Sequence, residues 1–179
     1  MNDKNQKPKS RKKRLDIEIR EMEIDDIATV FHMGEKIFTS EDAPNLYRTW
    51  DEYEVINLFQ SNSEYCLVAE HKEIIVGFVL GTTVTKQRSA WKYGILVWLG
   101  VHPDYMGRRV ATRLFRHFQS LMKEEGARIL LMDTEADNEP AIQFFEKFGF
   151  GNVEEHIYMS KNLSKRKRKP KKNNRKKKD

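Results

Sequence analysis

The chain has 179 residues, 39% hydrophobic and 34% charged, enough for one domain with a sizeable core. Its net charge of +6 averages two unlike parts. Residues 1–15 hold seven Lys/Arg and one Asp, and 161–179 hold twelve Lys/Arg and one Asp, which leaves 14 basic and 25 acidic residues between them, a charge of −11. The single cysteine, Cys66, excludes an internal disulfide. No apolar stretch follows the basic N-terminus, and no uncharged run approaches the ~20 residues of a membrane span. A soluble protein of a reducing compartment, the cytoplasm, is expected, without membrane contact and without a metal site.

Residues 1–14 lack apolar content and read as a disordered basic tail. The folded domain is expected over 15–160. Leu15, Ile17 and Ile19 alternate with charged residues, the pattern of a half-buried strand. Asp25 and Asp26 suit a helix start, and Ile27, Val30, Phe31, Gly34 and Ile37 follow at helical spacing. Residues 39–48 are aperiodic and hold Pro44, a loop. Thr49 with Glu52 matches a capping box for a second short helix through Tyr53 and Ile56. Tyr47, Trp50 and Tyr53 lie close together here, either as core packing or as an aromatic wall over a substrate cleft. Ser61 to Ser63 reads as a turn.

Tyr65–Glu70 and Ile74–Thr85 are expected to form a hairpin of strands. A polar loop follows, and Trp91–Val101 returns as a strand. Its unbroken run Ile95–Leu99 predicts a central strand buried on both faces. Val110, Leu114, Phe118, Leu121 and Met122 mark an amphipathic helix that Gly126 stops. Ile129–Met132 is a buried strand. Pro140, Ala141, Phe144, Phe145 and Phe148 mark a last helix ended by Gly149. Phe150–Ser160 alternates enough for one or two final strands. Residues 161–179 form a second disordered basic tail. The order predicts a mixed α/β sheet, antiparallel first and with crossover units later.

The stretch around Leu99–Leu114 carries the chemistry. A strand ends at Val101, a short Pro/Asp/Gly/Arg loop follows, and a helix starts near Val110. Free backbone N–H groups and the positive end of a helix dipole meet there, which suits a phosphate. Basic tails suit a polyanion such as RNA or simply stay solvated, and the acidic body suits a cationic substrate.

Two segments in this order, Val101–Leu114 (Val-His-Pro-Asp-Tyr-Met-Gly-Arg-Arg-Val-Ala-Thr-Arg-Leu) and Asp137–Phe150 (Asp-Asn-Glu-Pro-Ala-Ile-Gln-Phe-Phe-Glu-Lys-Phe-Gly-Phe), resemble the GCN5-related N-acetyltransferase (GNAT) family. The resemblance covers residues 16–160. It implies a central mixed sheet of six to seven strands flanked by about four helices, with two parallel strands, Ile95–Val101 and Ile129–Asp133, splayed at a cofactor cleft. It implies that acetyl-CoA, as the acetyl donor, lays its pantetheine arm along Leu99 and Val101 and its pyrophosphate on Met106, Gly107, Arg108, Arg109, Val110, Ala111 and Thr112. In the family pattern a Gln or Arg stands where this chain has Met106, and a Gly where it has Arg109. Asn138 matches a residue that contacts the cofactor arm, and it also suits a helix N-cap. Phe145 stands where many members carry a Tyr near the thiol, and Phe cannot donate that proton.

The family's activity implies attack of a neutral amine on a thioester, with a carboxylate taking the amine's proton directly or through water. Glu135 and Asp133, at the end of the strand beside the cleft, are the first candidates and Glu35 the second. A main-chain N–H near Val101 would serve the carbonyl oxygen. Tyr158 and Tyr105 are the hydroxyls available as proton donors, and His102 and His156 the imidazoles. The reading is an acetyl-CoA-dependent N-acetyltransferase acting directly on a primary amine: a protein N-terminus, a lysine or a polyamine-like acceptor. Acceptor choice is expected from the 38–60 region and the last strands. The alternative is a non-catalytic module of the same fold that binds RNA or ribosomes through its basic tails. Nothing in the residues sets an oligomeric state.

Overall fold

The computed structural model describes residues 15–41, 49–85, 91–154, 157, 159, 161 and 163. The first strand, β1 (Glu18–Glu21), leads through a single 3-10 turn into α1 (Ile27–Ile37). Asp26 organises that junction. Its carboxylate accepts from the Glu23 amide at 2.8 Å and from Arg20 at 2.6 and 3.1 Å, and Arg20 also reaches Glu70 at 2.9 Å. Helix α1 buries Val30, Met33 and Gly34, one face at i, i+3, i+4. Helix α2 (Glu52–Asn62) is capped by Asp51, whose carboxylate accepts from the Tyr53 amide at 2.7 Å. Asp51 thus takes the place expected for Thr49, because it stands directly before the first helical residue. Ser61 and Asn62, expected in a turn, form the last helical turn, and the chain turns one step later through Ser63–Tyr65.

Strands β2 (Cys66–His71), β3 (Ile74–Thr85) and β4 (Lys92–Val101) form an antiparallel meander, and β1 adds antiparallel to β2. Helix α3 (Val110–Glu124) crosses over to β5 (Ala127–Leu131), parallel to β4, and α4 (Glu139–Glu146) follows. The sheet order is β1-β2-β3-β4-β5. The mixed sheet with four helices matches the expectation, with five strands among the described residues in place of six or seven. Phe150–Glu154 is irregular. Its alternation supplies an apolar edge, but no strand pairs with it, and Val153 stays 81% exposed. Of residues 155–160 only Ile157 and Met159 are described, and neither is in a strand. Both tails' basic runs, and Tyr47, His156 and Tyr158, lie outside the described residues.

Each sheet face has its own core. Leu114, Phe115, Phe118 and Met122 of α3 and Phe145 of α4 pack with Leu67, Val79 and Leu96 on one face. Val30, Trp50, Val55, Phe78 and Trp98 fill the other, under α1 and α2. A bulge in β4 joins the two. Leu80 pairs with Trp98 but Gly81 with Leu96, so Val97 is an extra residue. Val97 and Trp98 therefore both pack on the α1/α2 face, while Leu96 and Leu99 pack on the α3 face. That is why the run from Ile95 to Leu99 is apolar at every position. No helix among the described residues is long and apolar enough to cross a membrane.

Candidate functional site

The bulge sits where β4 and β5 part. Their pairing covers Lys92–Ile95 against Ala127–Leu131 and then stops, while β4 runs on to Val101. The backbone of that overhang has a defined orientation. The His102 N–H donates to the Val76 carbonyl of β3 at 2.9 Å. Strand alternation then turns the N–H and C=O of Gly100 toward β3, and those of Leu99 and Val101 toward the open side. Two strands that separate this way leave main-chain donors and acceptors for a third, extended group.

The loop after β4 ends at the same side of the sheet. Pro103–Tyr105 forms one 3-10 turn, with the His102 ring Nδ1 accepting from the Asp104 amide at 3.3 Å. Gly107 and Arg109 both have positive φ, 70° and 67°, and Arg109 is the residue that leads into α3. A left-handed non-glycine residue is strained, and successive amides bent in this way form a concave nest for an anion. No side chain caps α3. Arg113 is the first residue whose amide has a helical acceptor, the Arg109 carbonyl at 3.1 Å. The amides of Val110, Ala111 and Thr112 ahead of it have none within the helix. Met106, Gly107, Arg108 and Arg109 are exposed, Ala111 and Thr112 half-buried, and Val110 is anchored in the core. The main chain and the two guanidiniums are therefore presented together at the positive end of a 15-residue helix.

The loop after β5 faces the same end, because β4 and β5 are parallel. Asp133 is exposed and Glu135 half-buried. Asn138 holds this loop. Its Oδ1 accepts from the Ala141 amide at 3.3 Å, its Nδ2 donates to Thr134 Oγ1 at 3.0 Å, and its own amide donates to the Glu135 carbonyl at 3.0 Å. Phe145 is 6% exposed, its ring tilted steeply against Phe115, Phe144 and Phe150 at 5.6, 5.0 and 5.3 Å. Tyr105 is half-buried, with the rings of His71 and His102 at 6.0 and 5.9 Å. No group of three or more His, Cys, Asp or Glu that could hold a metal occurs among the described residues.

A hollow of about 530 Å³ opens between the end of α1 and the start of α2. Phe31, Phe38 and Trp50 form its aromatic side, and Tyr53, 73% exposed, stands at its rim. Glu35, Asp51 and Glu52 also line it. Trp50 is 8% exposed and its Nε1 donates to the Phe31 carbonyl at 3.2 Å, so it serves as a core residue and as the floor of the hollow. Glu35 lies 2.9 Å from His32 Nδ1. Phe38, Asp51, Glu52 and Tyr53 lie in the 38–60 region from which acceptor choice is expected, and Phe31 lies outside it. The spacing i, i+4, i+7 of Phe31, Glu35 and Phe38, a carboxylate within an aromatic stripe, is the signal that marks Phe31. Cys66 is fully buried, and burial pushes its thiol up to about 12, which removes it as a nucleophile.

A model of the family described as "Acetyltransferase (GNAT) family" matches residues 34–150. A Yersinia pestis protein named "Acetyltransferase" is 30% identical over 149 residues, covering 82% of this chain and 96% of the relative. The Schizosaccharomyces pombe protein "N-alpha-acetyltransferase 30" is 34% identical over 74 residues, 40% of this chain and 49% of that protein. Among solved structures, Ard1 from Thermoplasma volcanium superposes with a TM-score of 0.64 at 22% identity, covering 75% of this chain and 82% of its own. The NatC complex bound to Gag peptide and CoA gives 0.68 at 18% identity, with coverages of 78% and 87%.

Proposed function

The chain belongs to the GNAT family and is an acetyl-CoA-dependent N-acetyltransferase; on that premise we propose that it acetylates a cationic primary amine directly, from the cleft between β4 and β5. The observation that carries this reading is the β4 overhang, with the Leu99 and Val101 backbone turned to the open side and an uncapped helix start beyond it. The groups fit the donor. An extended amide-bearing arm pairs with the Leu99 and Val101 main chain as an added strand would. A pyrophosphate meets the amides of residues 107–112, with Arg108 and Arg109 adding charge-assisted bonds. Asn138 holds the opposite wall, and the Phe145 ring supports it from the core.

When bound, acetyl-CoA supplies a thioester whose carbonyl carbon takes the amine. The chain's own part is to orient that carbonyl and move protons. The Val101 N–H offers its oxygen a fixed donor. Glu135, half-buried on the loop held by Asn138, is the base we favour, and exposed Asp133 is the alternative. Phe145 gives no proton to the departing thiolate. Solvent, Tyr105 or Tyr158 serves instead. A body charge of −11 favours a cationic acceptor. The stretch shared with the fission-yeast N-alpha-acetyltransferase supports a polypeptide N-terminus among the candidates.

Calorimetry with acetyl-CoA, followed by thiol release across a panel of peptides and amines, tests the reading. Binding is expected, with transfer to amines and little release in their absence. Glu135→Gln is expected to lower kcat. No heat at millimolar acetyl-CoA, or release without amine acetylation, would refute it.

A further inference from the structure

We propose that the outer edge of β1 and the cationic face of α3 beside it form a docking groove for an extended acidic segment of a partner protein, which adds to the sheet as a strand. The inference stands apart from the acetyl-transfer reading and gives the protein a second surface.

The edge comes first. β1 is the first strand of the sheet and pairs only with β2 among the described residues. The Met22 N–H donates to the Cys66 carbonyl at 2.8 Å, so by alternation the main chain of Arg20 and Glu18 also points to β2. The N–H and C=O groups of Ile19, and of Ile17 just before the strand, therefore point away from the sheet. The Glu21 carbonyl points the same way but is taken by Arg20 Nη1 at 3.1 Å. A short edge at Ile17 and Ile19 is left, with the donors and acceptors that an added strand uses.

The helix beside it sets the side chains. Arg113, Arg116, His117 and Ser120 stand at i, i+3, i+4 and i+7 on α3, and they line a hollow that Ile17 and Ile19 also line. Arg113 is half-buried and the other three are exposed. Residues 16–160 hold 25 acidic residues against 14 basic, yet Arg113, Arg116 and His117 have no carboxylate within ion-pairing distance. The Arg116 guanidinium lies 6.0 Å from the Phe148 ring centroid instead. Asp16 and Glu18 border the hollow too. Ile17 and Ile19 pack into the core under α3, so alternation turns those two carboxylates to the opposite face of the sheet. Along an added strand, side chains two residues apart stand about 6.6 Å from each other on the α3 side. One turn of α3 rises about 5.4 Å, so acidic residues at alternate positions meet Arg113 and then Arg116 or His117.

The same charges disfavour other occupants. Two copies joined through β1 would bring their cationic faces together across the two-fold axis. Residues 1–15 hold seven Lys/Arg and one Asp, the same sign as this face of α3. A nucleic acid would gain from the arginines but has no amide backbone to pair with Ile17 and Ile19. An acidic strand gains from both.

The test uses the full chain and a fluorescent peptide of alternating Glu and Val, followed by anisotropy. A Gln-for-Glu peptide, an equally charged peptide with a central proline, and a single-stranded RNA oligomer run beside it. The basic termini attract any acidic peptide, so sensitivity to proline and to α3 decides. The alternating peptide is expected to bind about three- to ten-fold more tightly than the proline peptide, because proline removes a ladder donor. Arg113→Gln combined with Arg116→Gln is expected to weaken the alternating peptide by about three- to ten-fold, with the melting temperature unchanged. Saturating peptide is expected to slow amide exchange at Ile17 and Ile19. Equal affinity for the proline peptide, unchanged affinity in the double variant, or unchanged exchange at Ile17 and Ile19 would overturn the proposal. So would no binding at millimolar peptide, slowed β1 exchange on dimerisation of the chain alone, or RNA that binds the double variant less well and displaces the peptide.

Discussion

Gly34 stands in the middle of α1, where alanine would ordinarily stabilise a helix by about 1 kcal/mol. Gly34→Ala is nevertheless expected to destabilise this protein. A Cβ at position 34 would lie 2.0 Å from Trp50 Cζ2 and 2.1 Å from Cε2. Carbon atoms in contact need about 3.5 Å, so the indole would have to retreat by roughly 1.5 Å. It has little room. Phe31, Phe38, Phe78 and Trp98 surround it with centroids at 6.3, 5.2, 5.5 and 5.0 Å, and its N–H is bound to the Phe31 carbonyl. Overpacking of this kind costs about 1–3 kcal/mol, and loss of the indole hydrogen bond costs about 1 kcal/mol more. After the helix gain is subtracted, a net loss of about 1–3 kcal/mol remains. For a chain of this size that lowers the melting temperature by roughly 2–4 °C per kcal/mol. Thermal and urea unfolding followed by circular dichroism measure it, and tryptophan fluorescence reports the displaced indole. A variant more stable by about 1 kcal/mol would refute the reasoning, since helix propensity would then have decided and Trp50 would not be confined.

Arg20→Ala is expected to cost about 2–3 kcal/mol in urea unfolding, because Asp26, 9% exposed, keeps its charge and loses its cation. Burial works to raise the Asp26 pKa, but the hydrogen bonds from Arg20 and the Glu23 amide outweigh it and hold the carboxyl below the ordinary carboxylate value. Its contribution to stability is therefore full above that ordinary value and lost as pH falls through the depressed one; Arg20→Ala should flatten this part of an acid-unfolding profile. Arg109→Gly relieves a left-handed residue at φ 67° but adds freedom to the unfolded chain, so stability should change by less than about 1 kcal/mol. Its dissociation constant for acetyl-CoA should rise several-fold at low salt and less at high salt, as calorimetry would show. Cys66 should resist a thiol reagent in the native protein and react on unfolding, which a colorimetric titration in and out of urea would follow.

Much of this architecture is legible before any coordinates. The i, i+4 spacing from Val110 to Phe118 and Asn138 before Pro140 each specify an element through local physics, whereas of the alternating Leu15, Ile17 and Ile19 only Ile19 lies in β1, the other two preceding it. The uncapped start of α3 is foreshadowed by Gly107-Arg108-Arg109 directly ahead of it, with no Ser, Thr, Asp or Asn at the capping position. What local reasoning missed depends on partners distant in the chain. The Phe150–Ser160 alternation lacks a neighbour to pair with in the part described. Trp50 reads equally well as wall or core until Phe78 and Trp98 are brought beneath it. The hollow joins residues from two helices separated by a loop, and only Phe31, Glu35 and Phe38 share a local stripe. The bulge at Val97 is hidden for a different reason, since an apolar run looks the same with or without an inserted residue.

The short β4–β5 pairing that opens the cleft also has a dynamic consequence. β5 is the last strand of the described sheet and is held to it only along Lys92–Ile95, whereas β4 is bonded to β3 along its length. Amide exchange should therefore protect the β2–β3–β4 meander most and release the β5 backbone through smaller openings. A ligand that bridges both walls would fasten β5 to β4. Saturating acetyl-CoA should slow exchange in β5 and the following loop far more than in the meander, and raise stability by RT ln(1 + [L]/Kd). The donor would thus complete the sheet as a removable strand.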